Sequence, residues 1–166
     1  FKTNTVLYIA VEGELLSPNT IALWLDVDVD SENGRTLFGT GLDDNEGQLD
    51  SALSAPLLSA LPEFRPDFGW GVSALPQASI QSSDGAGWRD IRPNNFVPMV
   101  GSETACSMTF CETRITMAAL GANPNERFAI ALRLGNGLSW SNQTLPEDQP
   151  QQPGTINNIL TVTFRR

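Results

Sequence analysis

The stretch Ile21-Ala-Leu-Trp-Leu-Asp-Val-Asp-Val-Asp30 decides the fold. Its residues alternate without a break. Leu23, Leu25, Val27 and Val29 fall on one side, and Trp24, Asp26, Asp28 and Asp30 on the other. A period of two is the signature of a β-strand whose one face is buried. The expectation is therefore a strand with an apolar inner face and an acidic outer one, with Trp24 covering a second, smaller apolar cluster.

Outward from this segment the same period recurs. Residues 3–11 are rich in β-branched and aromatic residues, and residues 68–75 and 78–81 read as two short strands separated by Pro76. Residues 113–117 alternate with Ile115 and Met117 inward, and residues 127–134 place Phe128, Ile130, Leu132 and Leu134 on one side. Residues 156–164 close the series with Ile159, Leu160, Val162 and Phe164. Clusters of Gly, Pro, Asn, Ser and Asp punctuate these runs at turn positions. Helix signals are few: a short candidate over 50–61, interrupted by Pro56, and one turn over 117–120 stopped by Gly121. The Pro- and Gln-rich residues 143–154 read as a loop. This pattern predicts an all-β protein, a two-sheet antiparallel sandwich of jelly-roll or immunoglobulin-like type with at most one or two short helical turns. At 166 residues, with no internal repeat and no boundary in composition, residues 1–166 read as a single domain.

The formal charge of −9 is unevenly placed. Residues 1–50 hold ten acids and two bases, whereas residues 51–166 hold nine acids and eight bases. This balance disfavours a nucleic-acid backbone or an anionic membrane surface as partner. No apolar run is long enough to span a bilayer, and no signal peptide precedes Phe1, which reads as a mature start. Cys106 and Cys111 are the two cysteines, and there is no His to join them in a zinc site. A small structural disulfide in an oxidising, secreted or cell-surface compartment is the expectation, and two reduced buried thiols the alternative. Asn142-Gln-Thr144 matches a glycosylation sequon.

A resemblance adds to this reading. Leu7-Tyr-Ile-Ala-Val-Glu-Gly13 followed by Ala22-Leu-Trp-Leu-Asp-Val-Asp28 resembles the opening strands of DOMON-like sandwiches, which include the family 9 carbohydrate-binding modules of secreted bacterial proteins. Glu112-Thr-Arg-Ile-Thr-Met-Ala-Ala-Leu-Gly121, the run Phe128 to Leu134, and Ser141-Asn-Gln-Thr-Leu-Pro146 are similar to later elements of that group in the same order. The resemblance implies a β-sandwich in which ligand binding without catalysis is frequent. Members of the group carry a further strand before the Leu-Tyr strand, where this sequence has six residues ahead of Leu7. An edge slot open to strand addition is the implied consequence.

Three groups of residues are candidates for chemistry. Asp26, Asp28 and Asp30, with Asp43, Asn45 and Asp50, supply the clustered hard oxygens that Ca²⁺ requires, although neither segment has the spacing of an EF-hand. A solvated acidic edge that guards the sandwich against pairing is the competing reading. Trp70, Trp88 and Trp140, with Asn142 and Gln143 and with Arg89 or Asp90 nearby, offer aromatic faces and polar groups suited to a sugar. The competing reading places the tryptophans in the core. Enzymatic chemistry is not expected. Without His there is no Ser triad, no pair of carboxylates is singled out by spacing, and Asp67-Phe-Gly69 copies a kinase tripeptide without its companion motifs.

Two functions follow from the sequence. The first is a non-catalytic extracellular module, stabilised by calcium, that binds a polysaccharide or another polar ligand. The second is a structural subunit of a filament, surface layer or matrix, in which copies join by β-strand complementation and a terminal strand completes a neighbour's sheet.

Overall fold

A computed structural model describes residues 6–13, 20–29, 34, 37–38, 58–59, 64–73, 86–92, 97–107, 109–122, 127–135, 140–145 and 159–163. Twelve strands lie in this set: β1 (Val6–Glu12), β2 (Thr20–Asp26), β3 (Leu37–Phe38), β4 (Leu58–Ser59), β5 (Phe68–Ser73), β6 (Ala86–Asp90), β7 (Val97–Pro98), β8 (Ser102–Cys106), β9 (Phe110–Thr116), β10 (Arg127–Gly135), β11 (Trp140–Leu145) and β12 (Leu160–Thr163). The smaller sheet has the order β1-β9-β8 and the larger the order β11-β10-β2-β5-β6-β7. β12 runs along Arg127–Ile130 of β10, and β11 along Leu132–Gly135, both on the side of β10 away from β2. β3 and β4 form a two-residue ribbon. All pairings are antiparallel, so the chain is an all-β, two-sheet sandwich, as its alternation predicts.

The core lies between the sheets. Leu23, Leu25 and Val27, then Phe68, Trp70 and Val72 of β5, Trp88 of β6 and Phe128 of β10 face Leu7 of β1 and Cys111 and Ile115 of β9. The smaller sheet alternates as a one-sided sheet should. Cys111, Thr113 and Ile115 are buried, while Phe110, Glu112 and Arg114 are exposed. Its outer surface carries a cross-strand row of Tyr8, Arg114 and Glu103, in which the guanidinium grips the carboxylate through two hydrogen bonds of 2.6 and 3.0 Å.

At the centre of the larger sheet β2 departs from the expected half-buried pattern, because both its faces are buried. On the side away from the smaller sheet, Ala22, Trp24 and Asp26 of β2 and Ala129, Ala131 and Arg133 of β10 are all at most 4% exposed. Trp24 stands opposite Ala131 on one side and Gly69 on the other, small residues that leave room for an indole. Trp24 is thus buried on this side, and Asp26 is buried with it where a solvated carboxylate was expected; Asp28 is half-buried and Asp30 lies outside the described residues.

Two local features follow the sequence closely. Met117–Gly121 makes one helical turn ended by a Schellman motif. Ala122 N–H donates to Met117 C=O and Gly121 N–H to Ala118 C=O, with Gly121 in the left-handed region at φ +66°. β8 and β9 form a tight hairpin closed by the Cys106–Cys111 disulfide. Ser107 N–H donates to Phe110 C=O, so Cys106 and Cys111 form the next, non-hydrogen-bonded pair, where side chains approach most closely. No described helix is long and apolar enough to cross a membrane, and the disulfide suits an extracellular protein.

Candidate metal centre

β2 stops at Asp26 because Asp26 turns the chain. Its Oδ1 accepts the N–H of Asp28 at 3.1 Å, an Asx turn that ends the strand and folds Asp28 back toward it. Across the sheet, Leu25 is paired with Phe68, so the residue before β5, Asp67, stands opposite Asp26. Asp67 N–H donates to Leu25 C=O and its own carbonyl accepts from Ile91 N–H, which fixes it between β2 and the end of β6. Carboxylate oxygens of Asp26, Asp28 and Asp67 thereby all come within 4.8 Å of one another.

The surroundings of these groups are unusual for three acids. Asp26 is 2% exposed and Asp67 1%. Backbone donors supply part of their hydrogen bonding: Arg65 N–H to Asp26 Oδ2 at 3.0 Å, and Val27 N–H to Asp67 Oδ2 at 3.2 Å. Burial pushes the Asp67 carboxyl up to about 6, and the neighbouring Asp28 and Asp26 push the same way. The Val27 hydrogen bond and the charge of Arg92 oppose the rise. Arg92 is itself held over the Phe68 ring, 4.9 Å from its centroid, and chelated by Asp90. Gly34, at φ +87°, is pressed against the carbonyl of Arg65, where a Cβ would lie 1.8 Å from the oxygen. Gly34 is thus seated directly behind the residue that holds Asp26.

The donor set fits a hard cation. Oxygens bound to one Ca²⁺ at 2.3–2.6 Å lie at most about 5 Å apart, a span that accommodates all three carboxylates. Asp26, Asp28 and Asp67 would hold the ion, whose charge would offset the mutual repulsion of the acids. Of the expected ligands, Asp26 and Asp28 are brought together, while Asp30, Asp43, Asn45 and Asp50 lie outside the described residues. Asp67 was not expected among them.

The expected aromatic binding surface is corrected. Trp70 and Trp88 are paired across β5 and β6 and are 0% and 1% exposed, so neither can stack on a sugar. Both point into the core and tie the sheets together. Trp70 Nε1–H donates to Thr104 Oγ1 at 3.2 Å, and Trp88 Nε1–H to Thr113 Oγ1 at 2.9 Å. Thr113 donates its hydroxyl proton to Glu103 C=O, so the 2.8 Å contact between the two threonines has Thr104 as donor. The two indole N–H groups and the two threonine hydroxyls are all hydrogen-bonded to one another or to Glu103 C=O, as burial requires. Arg89, on β6, is also buried, 5% exposed. Trp140, Asn142 and Gln143 belong to β11, separated from β5 by β10 and β2, or roughly 14 Å at the usual strand spacing. They cannot form one patch with Trp70 and Trp88. Residues 143–145, expected as loop, continue β11.

No family model, curated protein or solved structure matches the chain. Its fold and its candidate cation site rest on its own geometry.

Proposed function

We propose that the chain is a non-catalytic β-sandwich module of an extracellular protein, stabilised by one calcium ion at Asp26, Asp28 and Asp67. The observation that carries this reading is the convergence of three carboxylates, two of them almost fully buried, within the span of a single cation at the end of the two central strands. The disulfide and the resemblance to DOMON-like modules support an extracellular setting and a binding rather than a catalytic role. With Trp70 and Trp88 in the core, β11, which carries Trp140, Asn142 and Gln143, is the part of the chain we assign to a polysaccharide or similar polar ligand.

Calcium titration of chelator-treated protein tests the cation. An ion present at one hundred times its dissociation constant adds about 2.7 kcal/mol, which at roughly 2–4 °C per kcal/mol raises the unfolding temperature by about 5–11 °C. An unchanged melting temperature overturns the site. For the ligand, affinity electrophoresis through polysaccharide gels should retard the wild type and not Trp140→Ala. Absence of retardation on every polysaccharide rejects the binding role and leaves the cation site untouched.

A further inference from the structure

β1 lies at one end of the smaller sheet, and among the described residues no strand lies on its outer side. Gly13 N–H donates to Thr109 C=O in continuation of the β1–β9 register, so the odd-numbered residues of β1 exchange bonds with β9. On the other side of β9, the Ser107–Phe110 bond requires its even-numbered residues to face β8, which agrees. The backbone groups of Val6, Tyr8, Ala10 and Glu12 are therefore turned toward the outer edge.

This edge lacks the usual devices against pairing. Leu7-Tyr-Ile-Ala-Val11 has no charge, no Pro and no Gly. Ile9 and Val11 pack against the core yet stay partly exposed, and Tyr8 is 68% exposed. The strand is also complementary to itself. Turned through 180° about Ile9, it sets Ile9 against Ile9, Leu7 against Val11, Tyr8 against Ala10 and Val6 against Glu12 of the second copy. Inner apolar residues meet inner apolar residues, each large Tyr8 meets a small Ala10, and the two Glu12 carboxylates lie at opposite ends. This register pairs all seven residues of the strand, whereas any shift leaves some unpaired. It also keeps both core faces on one side.

We propose that two copies of this chain join edge to edge through β1, antiparallel about a twofold axis at Ile9, merging their three-stranded sheets into one of six strands. A closed isologous contact of this kind makes a dimer, not a filament. It differs from strand exchange, because β1 keeps its place beside β9 and β12 its place beside β10. The contact is independent of the cation site.

The test uses the full chain in light scattering coupled to gel filtration. Wild type should run at twice the mass of one chain. In Ala10→Pro the lost N–H is one that faces away from β9 and the exposed edge position accepts the ring, so the mass should fall twofold with the unfolding midpoint kept. Ile9→Cys should cross-link to a dimer under mild oxidation, since the twofold brings the two residues together as a close, non-hydrogen-bonded pair of about 4.5 Å between Cα atoms. Val11→Cys should not. A single-chain mass for wild type across its soluble range, a dimeric Ala10→Pro, or cross-linking at Ile9→Cys no greater than at Val11→Cys overturns the proposal. So does a foreign strand found on β1 of a single chain. If Ala10→Pro fails to fold, the cysteine pair decides.

Discussion

Replacing Asp67 by Asn separates the electrostatics of the acidic cluster from its packing. The amide has nearly the shape of the carboxylate, and its oxygen can still accept the Val27 N–H. In the cation-free protein the Asp67 carboxyl titrates near 6, against an ordinary value of 3.8. Between these values the folded chain holds a proton that the unfolded chain has released. Stability must therefore fall as pH rises through this window, and the loss is complete above about pH 7. At about 1.4 kcal/mol per pH unit the loss approaches 3 kcal/mol, an upper estimate. Other carboxylates titrate over the same range, so the informative quantity is the difference between wild type and Asp67→Asn in urea unfolding with chelator present. That difference should be small near pH 4 and should favour Asp67→Asn by up to about 3 kcal/mol at pH 7.5, roughly 6–12 °C in unfolding temperature. Saturating calcium should reverse the order, because the wild type gains from the ion and the variant has lost a ligand. A wild type that is the more stable of the two at pH 7.5 in chelator, or a difference that does not change with pH, refutes the reasoning.

Other substitutions probe the frame around the site. Trp88→Ala should cost about 3–5 kcal/mol in chemical denaturation, because it empties a core position and removes one of the two hydrogen bonds that the Thr113 hydroxyl accepts; a loss below about 1 kcal/mol would contradict its burial. Replacing both Cys106 and Cys111 by Ser should lower stability by about 2 kcal/mol, the entropy of closing so short a loop. Reduction of the wild type should give the same shift. Gly34→Ala should cost about 2 kcal/mol or more, since the added methyl meets the Arg65 carbonyl in a left-handed backbone conformation. Displacing Arg65 should also weaken calcium binding in titration calorimetry, whereas an unaffected affinity would detach Gly34 from the site.

The strands legible in the sequence were those with a solvent side or a long apolar repeat, such as β2, β9 and β10. β8 escaped because its inward positions are Ser102, Thr104 and Cys106, polar or sulfur-bearing residues buried through hydrogen bonding and a disulfide. β6 escaped because Gly87 and a buried Arg89 erase the contrast between its two faces. The tryptophans were harder to place. Trp70 lies in a strand that the sequence does show, but its flanking Gly69 and Gly71 give no apolar contrast that would mark its face as the inner one; they are interior positions on the opposite face, where Gly69 makes room for Trp24. Asp26 and Asp28 announced themselves by spacing. Asp67 could not, because only the pairing of Leu25 with Phe68 carries it to Asp26 from 41 residues away, and no local pattern encodes that register.

The placement of β1 has a consequence in time. Its partner β9 lies roughly 100 residues further along the chain, so during synthesis at about 5–20 residues per second β1 exists for some 5–20 s before β9 emerges. Throughout that interval both its edges are open, and nascent chains on neighbouring ribosomes present the same self-matching segment. The β8–β9 hairpin, closed within a few residues, can form as soon as it emerges, and β1 must wait for it. The order of events therefore favours a late, long-range closure of the smaller sheet. Crowding of growing chains would act on this step first, as a competition between a strand's own partner and its twin.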